Sequence, residues 1–371
     1  MASGLEQPEV PGFSFPGDLQ ELQDLLEEAG ISNKSIHNLP SKWFLSASKV
    51  TQKQFLAFHI VYPEMLPPEK LVKDHLHLYD LDLSWEAAKV ILGGFDDFGK
   101  YLDLLENRIS INGISRNHPL FPPSLKTMKD LHELCMQGQD STERAAPTVA
   151  KTSGRKSTRL AMKDLLSGAT GRREDPAIPL GDYPDEKGEV EREATVNSAL
   201  VVFLREFSSV VHNRETESVF DPLVEKATFS NGNHFTAITD GVLRRLDDKQ
   251  ILAILEVKKR DREKNKELIL MQEAAEITCW VKNSYQKTSF LNGHPLLISQ
   301  DREELFVSFA FCDDEYIDYL RTASVENPAR RYATIQTYGP FKITLRTEML
   351  WFATLVVTIT LAAQNRIPST I

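Results

Sequence analysis

Residues 234–258, HFTAITDGVLRRLDDKQILAILEVK, constrain the fold more than any other stretch. Their apolar and β-branched residues predict two strands, at 235–243 and 251–257, joined by a tight polar turn at 246–249. A hairpin folding about Asp247 and Asp248 gives partner numbers summing to about 495–497, which sets Asp240 opposite Leu255 or Glu256. Strand side chains alternate faces, so Glu256 and Lys258 share one face while Val257 points the other way, into a core. One hairpin end thus gathers two carboxylates and an ammonium at the close of an apolar run. Charge there needs pairing or a bound cation to offset the loss of hydration.

The rest of the chain supports such a core. Its 371 residues are 41% hydrophobic and 26% charged, a globular composition with room for two domains. A net charge of -10 argues against wholesale coating of nucleic acid, though a local basic groove is compatible with it. Cys135, Cys279 and Cys312 are too few and too scattered for a disulfide framework or a zinc knuckle, and they predict reduced thiols in an intracellular protein. The N-terminus has no basic region followed by an apolar core, so no secretory signal is expected. Residues 349–363 are the most hydrophobic segment. At about fifteen residues they are shorter than the roughly twenty of a spanning helix, and they predict a buried C-terminal helix with no membrane partner.

Three regions are expected. Residues 1–136 form a mostly helical N-terminal region, with helices at 18–28, 49–61, 68–78, 84–92, 96–109 and 124–136 punctuated by Pro and Gly. No catalytic pattern appears in it: His75 with His77, and His132 with Cys135, are each half a metal site at most, and packing explains them as well. A module that binds a protein partner is the plain reading. Residues 137–187, rich in Ser, Thr, Gly, Pro and charge, read as a disordered basic linker. Its Arg155-Lys156 and Arg172-Arg173 suit a nuclear import signal or electrostatic contact with phosphates, and a solvated linker equally. Residues 188–371 then run in the order α-β-β-α-β-β, further β, then α: an α/β mixed sheet flanked by helices. Strands are expected at 295–299, 305–311, 332–338 and 341–345, the last two joined by a turn at Gly339-Pro340.

Asp240, then Glu256-Val257-Lys258, then a helix carrying Gln272, resembles the PD-(D/E)XK nuclease superfamily with its restriction-endonuclease-like fold. The likeness is closer to the fungal nuclease-like branch. There, too, a helix like the one holding Glu193 and Asn197 precedes an Asp-Gly strand, and a stretch like Tyr338-Gly-Pro-Phe341 precedes an apolar terminal helix. The match covers about 189–363, half the chain. Thr239 stands where the superfamily's name puts Pro, a position that carries no ligand.

The resemblance implies Mg²⁺-dependent hydrolysis of phosphodiesters in nucleic acid, DNA before RNA, with Mn²⁺ as an alternative cofactor. A hard divalent cation activates water and offsets transition-state charge, and it prefers oxygen ligands. Asp240, Glu256 and the Val257 carbonyl are the expected ligands, with Glu193 an outer or second-metal ligand. Lys258 would position the attacking water or neutralise developing charge, and Gln272 would orient a water or a phosphate. Lys259, Arg260, Arg262, Lys264 and Lys266 would track phosphates or form a solvated loop. The residues alone also suit plainer roles: Asp240 as a turn former, Glu256 with Lys258 as an edge ion pair, Gln272 as an exposed helix residue. A catalytically inactive nuclease-like scaffold, acting as a protein-interaction or regulatory module, is the alternative function. The expected setting is intracellular, nuclear or cytoplasmic, and not secreted.

Overall fold

The structure, a computed structural model, describes residues 13–106, 186–211, 216–219, 221–258, 262–286, 289–323 and 328–364. The expected helix at 124–136, the linker at 137–187 and Cys135 lie outside these residues.

The Asp18 side chain accepts the Glu21 N–H to start α1 (Leu19–Glu28), and Gly30, at φ 68, lets the chain leave it. Thr51 caps α2 (Gln52–Leu56) in the same way. A helix expected through residue 61 stops here instead. His59 takes φ 53, and Ile60-Val61 become strand β1, because this β-branched pair finds a sheet partner in the far C-terminal part of the chain. Helical turns follow from α3 (Pro68–Lys70) to Tyr79, then α4 (Asp82–Gly93) and α5 (Asp96–Glu106).

The second described part runs α6 (Glu186–Ser209), β2 (Thr216–Val219), β3 (Val224–Thr228), β4 (His234–Ile238), β5 (Gly241–Arg245) and β6 (Ile251–Lys258). It continues α7 (Arg262–Asn283), β7 (Leu296–Asp301), β8 (Glu304–Phe311), α8 (Asp314–Arg321), β9 (Ala333–Lys342) and α9 (Arg346–Gln364). A seven-stranded mixed sheet has the order β1-β9-β8-β7-β6-β5-β2, and β3 with β4 forms a separate two-stranded ribbon. β6 and β7 are parallel, with α7 as the crossover helix; β1 and β9 are also parallel, and the other neighbours are antiparallel.

Two strand expectations are corrected. Residues 235–243 are not one strand: β4 pairs with β3, and the chain changes sheets at Thr239–Asp240 before β5 pairs with β6. Phe235 and Ala237 are buried beneath α7, while Val242 and Leu243 face the main sheet's neighbours, so one strand could not serve both surfaces. Nor is Gly339-Pro340 a turn. β9 runs straight through it, with a register shift opposite Leu305 and Val307. Gly339 sits at φ 153, and a Cβ there would lie 2.6 Å from Phe306 Cδ1 and 3.0 Å from the Leu305 carbonyl, so the close strand approach requires glycine.

Alternation along β6 divides the interior. Ala253, Leu255 and Val257 join a core built with α4, α5, α6 and α9, whereas Ile254 joins the core under α1, α2, α7 and α8. The result is helices on both faces of a mixed sheet. The N-terminal segment takes part in both layers: Leu22, Phe55 and Phe58 lie on the α7 side, Tyr79, Trp85 and Phe98 on the α9 side, and β1 at the sheet edge is where the chain passes between them. Among the described residues α9 is the one helix long and apolar enough to cross a membrane, and it is mostly buried inside the protein as a core helix.

Candidate functional site

The β5–β6 register matches the expected hairpin: Gly241 faces Leu255 and Val242 faces Ile254, with Asp247 and Asp248 in the turn and Lys249 at φ 60. The Asp240 N–H continues the ladder to the Leu255 carbonyl (2.9 Å), and the Asp240 carboxylate then accepts the Val257 N–H (2.8 Å). Asp240 therefore closes the ladder with its side chain, at the point where the backbone leaves for the ribbon.

Glu256 is 2% exposed and lies on the face covered by α7. One of its oxygens, Oε1, pairs with the Lys258 ammonium and accepts from Gln272 Nε2 at 2.7 Å. The same Gln272 nitrogen donates to Glu276 Oε1 at 2.8 Å, so two carboxylates fix which end of the amide faces the strand. Glu276 is 1% exposed. Glu256 Oε2 and Glu276 Oε2 are both buried without a hydrogen-bond partner. These orphaned oxygens sit at the carboxyl end of a parallel strand, beside its crossover helix, where open α/β sheets place ligands.

Burial, followed by the neighbouring Glu276, raises the Glu256 pKa well above the ordinary carboxylate range, against the pull of Lys258. Burial likewise pushes Glu276 up to about 8, with Lys258 and Gln272 opposing. For Lys258, burial alone would lower the pKa, but Glu256, Glu276 and Asp240 outweigh it and hold the ammonium above its usual value. The surrounding carboxylates therefore favour the charged form of Lys258.

A second buried charge cluster abuts the first. Arg262, 6% exposed, pairs with Glu273 Oε1 (2.5 Å) and Asp301 Oδ2 (2.5 Å), donates to Ser299 Oγ (3.0 Å), and stacks its guanidinium 4.1 Å from the centre of the Phe306 ring. Ser299 and Asp301 are the β7 register partners of Glu256 and Lys258. Arg262 is thus no solvent cation tracking phosphates; it ties the start of α7 to the end of β7. Lys259 and Arg260 lie outside the described residues.

The structure brings Asp240, Glu256, Lys258 and Gln272 together as a group around the Val257 backbone. Glu193 falls within α6, which packs across the sheet from Glu256; its side chain lies outside the described residues. Glu276, Glu273 and Asp301 were not singled out from the sequence. Glu276 had a signal, since it stands one helical turn after Gln272 on the same side of the helix, while Asp301 had none before β7 was placed beside β6. The available oxygens are carboxylate oxygens, two of them unpartnered, which fits a hard cation held by one or two carboxylates and water. Among the described residues no group of three or more His, Cys, Asp or Glu is placed to form a metal cage.

Compared with protein-family models, curated proteins and solved structures, the chain matches none of them.

Proposed function

We propose that the end of β6 is the active site of a Mg²⁺-dependent nuclease of the PD-(D/E)XK type, on a restriction-endonuclease-like fold. The observation that carries this reading is Glu256: a carboxylate buried at a strand end, with one oxygen unpartnered and the other held by Lys258 and Gln272. Asp240, Glu256 and the Val257 carbonyl would hold the cation, with Glu193 as an outer ligand. Bound Mg²⁺ lowers the pKa of water and offers charge to the transition state. Lys258, as an ammonium, would stabilise negative charge growing on the phosphate. Gln272, its nitrogen committed to the two glutamates, would orient a water or a phosphate. A cation there would need the raised Glu256 and Glu276 carboxyls deprotonated, so affinity should rise with pH.

Cleavage of single-stranded, duplex and structured oligonucleotides with and without Mg²⁺ or Mn²⁺ tests this. Asp240→Asn, which can still accept the Val257 N–H, and Lys258→Met should each abolish metal-dependent cleavage. Both variants cleaving like the wild type would remove the assignment.

A second reading, a nuclease-like scaffold without turnover, is favoured by one observation: Lys258 already closes on Glu256. Calorimetric titration with Mn²⁺ separates the two. A folded chain that ignores millimolar metal is the scaffold.

A further inference from the structure

Between Glu28 and Glu64 the chain has no acidic residue, yet it carries Lys34, Lys42, Lys49 and Lys53, in a protein of net charge -10. All four lysines are exposed, and among the described residues no carboxylate pairs with them. Lysines of the following segment differ: Lys70, Lys73, Lys89 and Lys100 each pair with an acid three or four residues away. Local charge of one sign, left uncompensated on a protein of the opposite sign, attracts a polyanion and raises its local concentration.

This surface is continuous with the ribbon that leads into the candidate site. Asn231 and Asn233, in the β3–β4 turn, both donate to the Leu39 carbonyl (3.0 and 2.7 Å), and His37 Nδ1 lies 2.9 Å from the Ser230 hydroxyl. Phe44 packs its ring 5.3 Å from Phe229, and Lys282 lies 5.0 Å over the same ring. The outward face of the ribbon adds Lys226 and His234 without an acid, since Glu225 points to the other face and bonds Ser284. β4 then ends two residues before Asp240. Trp43 stands half-exposed in the middle of the lysines, with Lys53 Nζ 5.5 Å from its ring, the pairing of a stacking surface with a backbone-tracking cation.

We propose that the acid-free segment 29–63, joined to the β3–β4 ribbon, is the surface that carries the nucleic-acid backbone toward Asp240. The deeper claim, that it delivers substrate, rests on the nuclease reading above; binding itself does not. The lysines contact phosphates and are indifferent to sequence, while Trp43 stacks on a base.

The test is anisotropy of labelled single-stranded and duplex oligonucleotides with the full chain in EDTA, across a salt series. The quadruple Lys34→Gln, Lys42→Gln, Lys49→Gln, Lys53→Gln variant is expected to bind at least roughly tenfold more weakly near 0.1 M salt, with the log–log salt slope reduced by about 3. Lys73→Gln, Lys89→Gln and Lys100→Gln together should leave both unchanged. If the quadruple variant melts early, Lys42→Glu with Lys49→Glu is read instead. Equal binding by patch variant and wild type, equal losses in the control variant, or wild-type binding to phosphatidylserine vesicles with no oligonucleotide affinity would each overturn the proposal. Patch-dependent binding without metal-dependent cleavage leaves the surface standing and sinks the nuclease reading. Cleavage that survives loss of the patch does the reverse.

Discussion

Asp240 has two claims on it at the residue scale, one structural and one chemical. Its carboxylate takes the Val257 N–H, so Asp240→Ala should cost about 1–3 kcal/mol of stability through that unpaired donor, whereas Asp240→Asn should cost much less; urea denaturation of both variants measures the difference. Glu276 makes a pH prediction. Its folded pKa, about 8, lies above the ordinary carboxylate value of 4.5, so the native state binds more protons than the unfolded chain between these values. The contribution is full below the unfolded pKa and is lost as pH rises through about 8. Glu276→Gln should therefore flatten the fall in stability from pH 5 to 9, measured by denaturant midpoints; an unchanged slope would mean the proton resides elsewhere. The clustering of Asp240, Glu256 and Lys258 was legible from strand alternation and hairpin register, whereas Gln272 was singled out only by the family resemblance. The partnership of Gln272 with Glu276 needed the amide geometry, and Asp301 needed the sheet order.

The unit β6–α7–β7 holds the candidate site as an element. Arg262 clamps its open end, binding one acid on α7 and one on β7. Removing a single member leaves buried charge uncompensated, so Arg262→Leu should destabilise by about 3–5 kcal/mol, and metal affinity should fall with it. Phe306 links this clamp to the next strand pair, since its ring meets Arg262 on one side and the Gly339 backbone on the other. Gly339→Ala should cost about 1–3 kcal/mol from overpacking, read as a lower thermal midpoint. Apolar periodicity foretold α1, α4, α5, α6, α7, α9 and the β5–β6 turn, but it gave no sign of α8 and ran a helix through β1. It missed the sheet switch at Thr239–Asp240 because local alternation does not say which sheet a strand joins. It misread Gly339-Pro340 because the pair carries a turn signature, overridden here by the need for close strand approach.

At the scale of the whole molecule, residues 13–106 contribute side chains to both cores and a strand to the main sheet. Tyr316 and Tyr319 anchor their hydroxyls on the Phe58 and Ala57 carbonyls (3.0 and 2.8 Å), so helix α8 depends on the N-terminal turn. A fragment starting at residue 186 should accordingly expose Phe235, Trp280 and Ile335, bind the dye ANS and melt without cooperativity; a sharp transition in that fragment would show the second part to be self-sufficient.

Strand β1 has only two residues, Ile60 and Val61, and their partners are Ala333 and Thr334. A ribosome adding roughly 5–20 residues per second reaches those partners some tens of seconds after β1 has been made. Phe58, whose ring packs on Phe235, emerges long before that partner, and a cell making this protein must keep it from other chains until the second part of the chain arrives.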